Sequence, residues 1–439
     1  MSEGPVNIPF NMMDEMFMHL DTPTHPLLVH LEVRVDGSLD EERLRGAVLA
    51  AIAHHPLARA RLAPWRSDAK TYVWHVDDDV QLDPVRSMAA PEDESLDDLR
   101  SEIYSRAVTL YESPPFRVAL VHDPGGDYVM LAANHAACDG IGALRLLQSV
   151  GRAYAGIADP TVDVDPAEAH RLALPPPEEG RSMGDRLDRA RLNLRQLAQV
   201  RSRQEKAKAK DGSPEPGYCK YTMALPVAPL VASPLRRRLN ATVNDVLLAA
   251  IHRSIAEWNR QQGGGKGRIS VGIPVNARPE EWRYEFVGNL ITNETVSTLD
   301  KQRETPESCL AAVAGWTEAV KRRGSGPALT AQARGWPGRV SQRRAVTPVI
   351  RVMAGFASVT AALTNLGAIK PDWVASDAFA VREMWFSPPA FGSDLGIGAI
   401  SVADTLHLGL CYVPALFSRD AAGEFAGLLR KELDALSGS

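Results

Sequence analysis

No apolar run in this chain approaches the ~20 residues that cross a bilayer, and the opening MSEGPVNIPF lacks the charged-then-apolar pattern of a secretory signal. The expectation is a cytoplasmic protein, with peripheral contact to a membrane left open. Cysteine is scarce: Cys138, Cys219, Cys309 and Cys411 stand apart, without the paired spacing of a zinc site or the density of a disulfide scaffold. Neither a metal nor a disulfide is implied. An excess of positive charge is also missing, since 49 Lys and Arg face 54 Asp and Glu for a net of −5. No global basic field marks nucleic-acid binding, so any anion site must be local. There is no short-period repeat of the solenoid kind. What is present is a globular composition, 45% hydrophobic and 23% charged over 439 residues. That length exceeds one ordinary core, and two lobes are expected.

Strand and helix signals alternate from the start. LLVHLEVRVDG at 27–37 reads as a strand, and EERLRGAVLAAIAHH at 41–55 repeats apolar residues at helical spacing. A helix is expected over 96–112, strands over 116–122 and 128–133, and a helix from Ile141 to about Tyr154. The first lobe is placed at 1–170. Residues 171–217 change character, opening on PPPEEG and closing on DGSPEPG, and read as a connector. Within it, 181–210 hold ten Lys and Arg against three acids, a pattern that most often marks a solvated helix face. The second lobe spans 218–439, with a helix at about 242–260 and a strand at 268–275. Between 321 and 351 stand Lys321, Arg322, Arg323, Arg334, Arg339, Arg343, Arg344 and Arg351 with no acid among them. This run is equally a solubility feature and a docking surface for phosphate-bearing donors.

The segment that carries chemistry is Tyr128–Ala143, YVMLAANHAACDGIGA. An apolar strand ends at Asn134-His135, a short turn follows, and Asp139-Gly140 opens an amphipathic helix. His135 therefore leaves the strand where one ring nitrogen can face a crevice while the other is held locally, as a general base requires. The adjacent helix N-terminus favours a neutral ring. A lone histidine at a strand end is more often structural, and Asp139 has an ordinary role as the N-cap of its helix. A second role for Asp139 needs a cation from elsewhere. IPVNAR at 273–278 supplies one in Arg278, whose strand is stopped by Pro279. VGNLITN at 287–293 and TNLGAI at 364–369 place Asn289 and Asn365 after further breaks, where ordinary turns are the simpler account. His54-His55 precedes Pro56-Leu57 and reads as a helix end, and Cys138 reads as packing.

HxxxDG, here His135-Ala136-Ala137-Cys138-Asp139-Gly140, resembles the active-site motif of the chloramphenicol-acetyltransferase-like superfamily. Its members include nonribosomal-peptide condensation domains, polyketide-associated acyltransferases, plant alcohol acyltransferases and bacterial wax ester synthase/diacylglycerol acyltransferases. MMDEMFMHLDTPTHPLLV at 12–29 and ATVNDVLLAA at 241–250 are most similar to the last branch, and the resemblance spans about 12–415. It implies an α/β fold of two lobes, each a mixed sheet flanked by helices, with an active-site tunnel between them. It implies an acyltransferase in which His135 is the catalytic base, with Asp139, Gly140 and Arg278 structural at the active site. Asn134, Asn289 and Asn365 are candidate oxyanion or tunnel residues, and Asn244 and Asp245 are expected to brace the lobe interface. No cofactor and no metal are implied, only an acyl-CoA or acyl-carrier thioester as co-substrate. The partners implied are a small-molecule acyl donor, an alcohol or amine acceptor and an acyl carrier protein, with no nucleic acid. Two departures stand out: Asn134 replaces the family's first histidine, and Pro114-Pro115-Phe116 replaces its Pro-Leu-Trp. The readings left open are ester formation from acyl-CoA, carrier-dependent condensation to an ester or amide, and noncatalytic binding of an acyl chain or partner.

Overall fold

The computed structural model describes residues 6–91, 95–160, 164–172, 203–282, 284–323, 339–345, 347–348, 359–370, 372–374, 376–390 and 393–438. Of the basic stretches, 181–202, 324–338 and 349–351 lie outside the described residues. Residues 203–210 carry no helix; Gln204 bridges Arg268 and Lys210 bridges Phe417. Among the described residues no helix is long and apolar enough to cross a membrane.

Along the first half, β1 (Asn7–Pro9) leads into α1 (Met12–Leu20), β2 (Leu28–Val35), α2 (Glu41–His54), β3 (Ala60–Leu62), β4 (Val73–Val76), β5 (Val85–Ala89), α3 (Leu96–Ser105), β6 (Phe116–His122), β7 (Tyr128–Asn134) and α4 (Gly140–Ala155). The second half brings β8 (Cys219–Pro226), α5 (Val243–Gln261), β9 (Ile269–Asn276), β10 (Ile291–Thr298), α6 (Pro306–Arg323), α7 (Val340–Ala345), β11 (Ala361–Ile369), β12 (Val381–Ser387), β13 (Leu395–Val402), β14 (Thr405–Tyr412) and α8 (Arg419–Ser437).

Local chemistry explains the ends of these elements. Asp40 caps α2 by accepting from the Arg43 amide at 2.7 Å, and Leu44, Ala47, Val48, Ala51 and Ile52 form its buried face. The helix expected to reach 112 stops at Ser105. Arg117 of β6 supplies the reason: its guanidinium donates to the carbonyls of Ile103 at 2.6 Å, Ala107 at 3.0 Å and Arg106, satisfying acceptors that a longer helix would have used.

Five strands form the first sheet in the order β12-β2-β7-β6-β5, and six form the second in the order β10-β9-β11-β13-β14-β8. Both mix parallel and antiparallel pairs; β5–β6, β9–β11 and β11–β13 are the parallel ones. A small third sheet runs β1-β4-β3. β7 is buried at every position because helices cover both sides. Val129, Leu131 and Ala133 pack with α2 and α4, whereas Tyr128, Met130 and Ala132 pack with α3, the period of two expected of a strand. The second core gathers α5, α6 and α8 over the six-stranded sheet.

The halves interlock. β12 belongs by sequence to the C-terminal half, yet it pairs antiparallel with β2, Phe386 lying opposite Leu31. Gly398 and Gly409 let β12 cross the second sheet closely, since a Cβ at either would collide with the Phe386 carbonyl. The seam nearby is charged. Lys220 of β8, 3% exposed, donates to His30 Nδ1 of β2 at 2.6 Å, and Arg100 of α3 is held by Glu32 and Asp97. A cavity of about 10 Å³ lies among them, room for about one water.

Candidate active site

β7 ends at Asn134, and the chain turns there because the Asn134 carbonyl accepts from the amides of Ala137 and Cys138 at 2.9 and 3.1 Å. The Asn134 side chain completes the turn. Its Oδ1 accepts from the Ala136 amide at 3.0 Å, and its Nδ2 donates to Asp21 Oδ2 at 3.0 Å and to the Val108 carbonyl at 2.9 Å. Fully buried and fully engaged, Asn134 braces the turn and has no hydrogen left for an oxyanion.

His135 is pinned from both halves of the chain. Its amide donates to the Leu27 carbonyl at 2.8 Å, and its own carbonyl accepts from Asn289 Nδ2 at 3.0 Å. The ring stacks on Phe17 of α1, with centroids 3.9 Å apart and planes inclined by 19°. Nδ1 is enclosed and without a hydrogen bond, and the residue keeps 9% of its surface exposed. Burial pulls the ring's pKa down to about 4, with the neighbouring backbone of His135 and Cys138 and the Asp139 charge opposing it more weakly. The ring is neutral at neutral pH, with desolvation as the leading cause and not the helix dipole invoked from sequence. Phe17 covers one face of the ring, and His135 lines neither of the two cavities described, one at the surface beside Pro234 and Leu436, the other at Lys220.

Asp139 caps α4 by accepting from the Gly142 amide at 2.8 Å. The same carboxylate takes Arg278 as a fork, Nη1 to Oδ2 at 2.8 Å and Nη2 to Oδ1 at 2.9 Å, and accepts from the Leu290 amide at 2.8 Å. Arg278 also donates to the carbonyls of Phe286 and Gly288, each at 3.1 Å. Both side chains are essentially sealed from solvent, at 0% and 1% exposure. One buried ion pair thus rivets the loop between β9 and β10 to the turn that carries His135. Gly140 is small for a packing reason: a Cβ there would sit 3.0 Å from Leu366 and 3.2 Å from Phe386.

The other expected residues divide. Asn289 reaches His135, but at its backbone carbonyl, and its own Oδ1 is enclosed without a partner. Asn365 is not brought to His135; its Oδ1 accepts from the Gly367 amide at 2.9 Å, shaping an irregularity in β11 where Gly367 takes a φ of 85°. Asp245, expected at the lobe interface, caps α5 in a reciprocal box with Thr242 and accepts from Thr317 at 2.6 Å, all within the second lobe. Cys138 is packing: burial pushes its thiol pKa well up, and its Sγ donates to the Asp139 carbonyl.

Four contributors had no assigned part in the sequence reading. Phe17 covers the ring, and Asn11 donates to the Asn289 carbonyl at 2.7 Å, so the start of α1 braces the site. Gly142 permits α4 to touch the second lobe, because a Cβ there would lie 2.8 Å from the Gly288 carbonyl oxygen. Its signal was the second glycine of DGIG. Arg145, with no exposed side-chain surface, joins Asp159 at 2.9 Å to Glu285 at 3.1 Å and makes a second rivet. Among the described residues no group of three His, Cys, Asp or Glu is arranged to hold a metal ion.

No family model matches the chain. By sequence it is 33% identical over 437 residues to two proteins of Mycobacterium tuberculosis, named Uncharacterized protein MT2362 and Uncharacterized protein Rv2305, across 96% of this chain and 97% of each of them. By structure it is similar to the first condensation domain of the CDA synthetase, with a TM-score of 0.70 and 14% identity, covering 98% of this chain and 96% of the other. A mutant starter condensation domain of rhizomide synthetase RzmA, in complex with C8-CoA and Leu-SNAC, gives 0.66 at 15% identity over 99% and 95%. The TRI3 trichothecene 15-O-acetyltransferase of Fusarium sporotrichioides gives 0.68 at 11% identity over 98% and 95%. At such identities the likeness establishes the architecture, a two-lobed mixed α/β fold. Built on the chloramphenicol-acetyltransferase-like fold of condensation domains, this chain belongs to the family of the mycobacterial proteins MT2362 and Rv2305.

Proposed function

We propose that the protein is an acyltransferase that moves an acyl group from a thioester, acyl-CoA, to a hydroxyl, forming an ester with His135 as general base. The observation that carries this reading is His135 itself, a neutral imidazole on a turn fixed from both lobes, with Nδ1 enclosed and Nε2 left as the ring nitrogen for chemistry. The wax ester synthase-like segments at 12–29 and 241–250 support an alcohol acceptor. A relative in fold that is a 15-O-acetyltransferase supports the same acceptor, and one in complex with C8-CoA supports an acyl-CoA donor.

An alcohol is too weak an acid to be deprotonated in advance, so its proton passes to Nε2 as its oxygen attacks the thioester carbonyl. The new carbon–oxygen bond forms, the tetrahedral intermediate collapses with loss of the carbon–sulfur bond, and the imidazolium returns its proton to the thiolate. Protons balance without an acyl-enzyme. A desolvated ring is a weak base at rest, but negative charge growing on the carbonyl oxygen raises its proton affinity when the transfer occurs. Asp139, Arg278 and Asn289 are positioning residues in this account: they hold the turn and the His135 carbonyl and do not touch the reacting atoms.

The test is His135→Ala, assayed by acceptor-dependent release of free thiol from a panel of acyl-CoAs offered glycerides, long alcohols and amines. Turnover should fall ~10²–10⁴-fold with the melting temperature preserved. Near-parental turnover refutes the assignment. A second reading, condensation with a carrier-protein thioester, is supported by the synthetase condensation domains among the relatives in fold. Parallel assays with acyl-CoA and acyl-carrier protein separate the two.

A further inference from the structure

The acid-free basic run at 321–351 plays no part in the reading above. Its portion at 339–345, α7 with Arg339 before it, is bound to one surface segment, 65–70. The Val340 amide donates to the Ala69 carbonyl, Ser341 Oγ to the Ser67 carbonyl and Arg343 Nη2 to the Lys70 carbonyl, each at 2.8 Å. The union brings exposed Arg66, Lys70, Arg339 and Arg344 together on a molecule whose net charge is −5. The one acid on these two segments, Asp68, is paired with Arg66 at 3.1 Å. In the middle stands Trp65, 37% exposed, with the Arg344 guanidinium 5.1 Å from its ring centroid.

The patch also has an address. Arg343 passes beneath it to Glu15 of α1 at 2.6 Å, and Phe17, two residues along the same helix, stacks on His135. The cationic surface and the imidazole therefore lie on opposite sides of one helix, about 10–12 Å across. We propose that Trp65, Lys70, Arg339 and Arg344 dock the adenosine phosphate end of the acyl-CoA donor. The inference rests on the acyl-transfer reading for the identity of that donor. Chemistry favours this occupant: a purine extends the cation–π stack at Trp65, and phosphates at either end of the nucleoside meet the surrounding cations. A lipid surface fits less well, because Trp65 is the single exposed large apolar side chain on the two segments.

The test compares the parent with Arg339→Gln/Arg344→Gln and with Trp65→Ala in the full chain. Calorimetric binding of adenosine 3′,5′-bisphosphate, which has no acyl group to transfer, should weaken at least ~10-fold in each variant, the scale of one lost charge-assisted contact. The ratio of kcat/KM for acyl-CoA to that for the same acyl-pantetheine should fall by a similar factor. If the parent transfers acyl groups from both donors with equal kcat/KM, or the variants keep that ratio, the docking surface is refuted and acyl transfer stands. If the parent binds the bisphosphate through these residues but transfers nothing from any thioester, the docking surface stands and acyl transfer falls. Loss in the variants of binding to phosphatidylglycerol vesicles or to a phosphopantetheinylated carrier protein, with bisphosphate binding unaltered, assigns the patch to another partner and overturns the proposal.

Discussion

The Asp139 carboxylate receives four hydrogen bonds, one from the amide of Gly142, one from that of Leu290 and two from Arg278. Such an arrangement is tolerable in a sealed interior only because every lone pair is matched and the charge is answered by a forked cation. Asp139→Asn keeps an acceptor for the helix cap but removes the charge and turns an NH2 group toward donors. It should cost ~3–5 kcal/mol of stability, the range for breaking a buried pair on one side. Urea denaturation checks the value, and a variant as stable as the parent contradicts the structural role. Asp139→Asn/Arg278→Gln removes both charges and should cost less than the two single changes summed, because neither partner is left alone. The residue scale also explains a departure from the superfamily pattern. Asn134 in place of a first histidine is a bracing side chain whose three hydrogen bonds fix the turn, so the imidazole beside it is set by a neutral amide.

At the scale of elements, the first turn of α4 is where the lobes touch. Gly142→Ala would push a methyl group into the Gly288 backbone at 2.8–2.9 Å, and backbone held by Arg278 yields poorly. Loss of stability is expected, on the order of 1–3 kcal/mol. Gly46→Ala is the opposing control, since Gly46 is exposed within α2 with nothing within 4 Å of the added carbon. It should stabilise by about 1 kcal/mol through helix propensity alone. Melting curves of the two variants should move in opposite directions; a shift of the same sign would remove the argument for close backbone approach at Gly142. These elements were partly legible in the sequence. The continuous apolar run of β7, helical spacing in α2 and the aspartate opening α4 are local signals, and all survive packing. Arg278 was legible because a strand end and a following proline leave a cation with one direction to reach. Phe17 over His135 and β12 beside β2 were not, because nothing local in either segment names a partner so distant along the chain. Asp245 is a different failure: Thr242 three residues earlier spelled a capping box, and a resemblance to family residues was preferred to that local chemistry.

Taken whole, the molecule keeps His30, His55, His135, His252 and His407 in desolvated positions spread over both lobes. Burial lowers His135 to about 4, and His55 and His252 to about 3, with the Arg145 and Arg303 guanidinium groups adding to the effect on the latter two. His30 is also driven well below its ordinary value, by burial and by Lys220, and His407 is lowered by burial. In the unfolded chain these rings bind protons near pH 6.5. Between that value and about 4 the unfolded state therefore holds more protons than the folded one, and stability must decline as pH falls through the window. The carboxylates act later: burial alone would raise Asp159, but hydrogen bonds from Arg145, Ser149 and Arg152 hold it down to about 2, so its contribution is lost only below the usual carboxylate range. Each extra proton on the unfolded state contributes about 1.4 kcal/mol per pH unit. Three such rings give a slope of up to ~4 kcal/mol per pH unit near pH 5. Denaturation in urea at pH 7, 6 and 5 should show stability falling at each step, and His252→Asn should flatten the fall by about one proton's worth. A curve that stays level from pH 7 to 5 would mean that the rings are protonated in the folded state. His135 would then carry its proton at rest, and the same measurement would deny it the role of base.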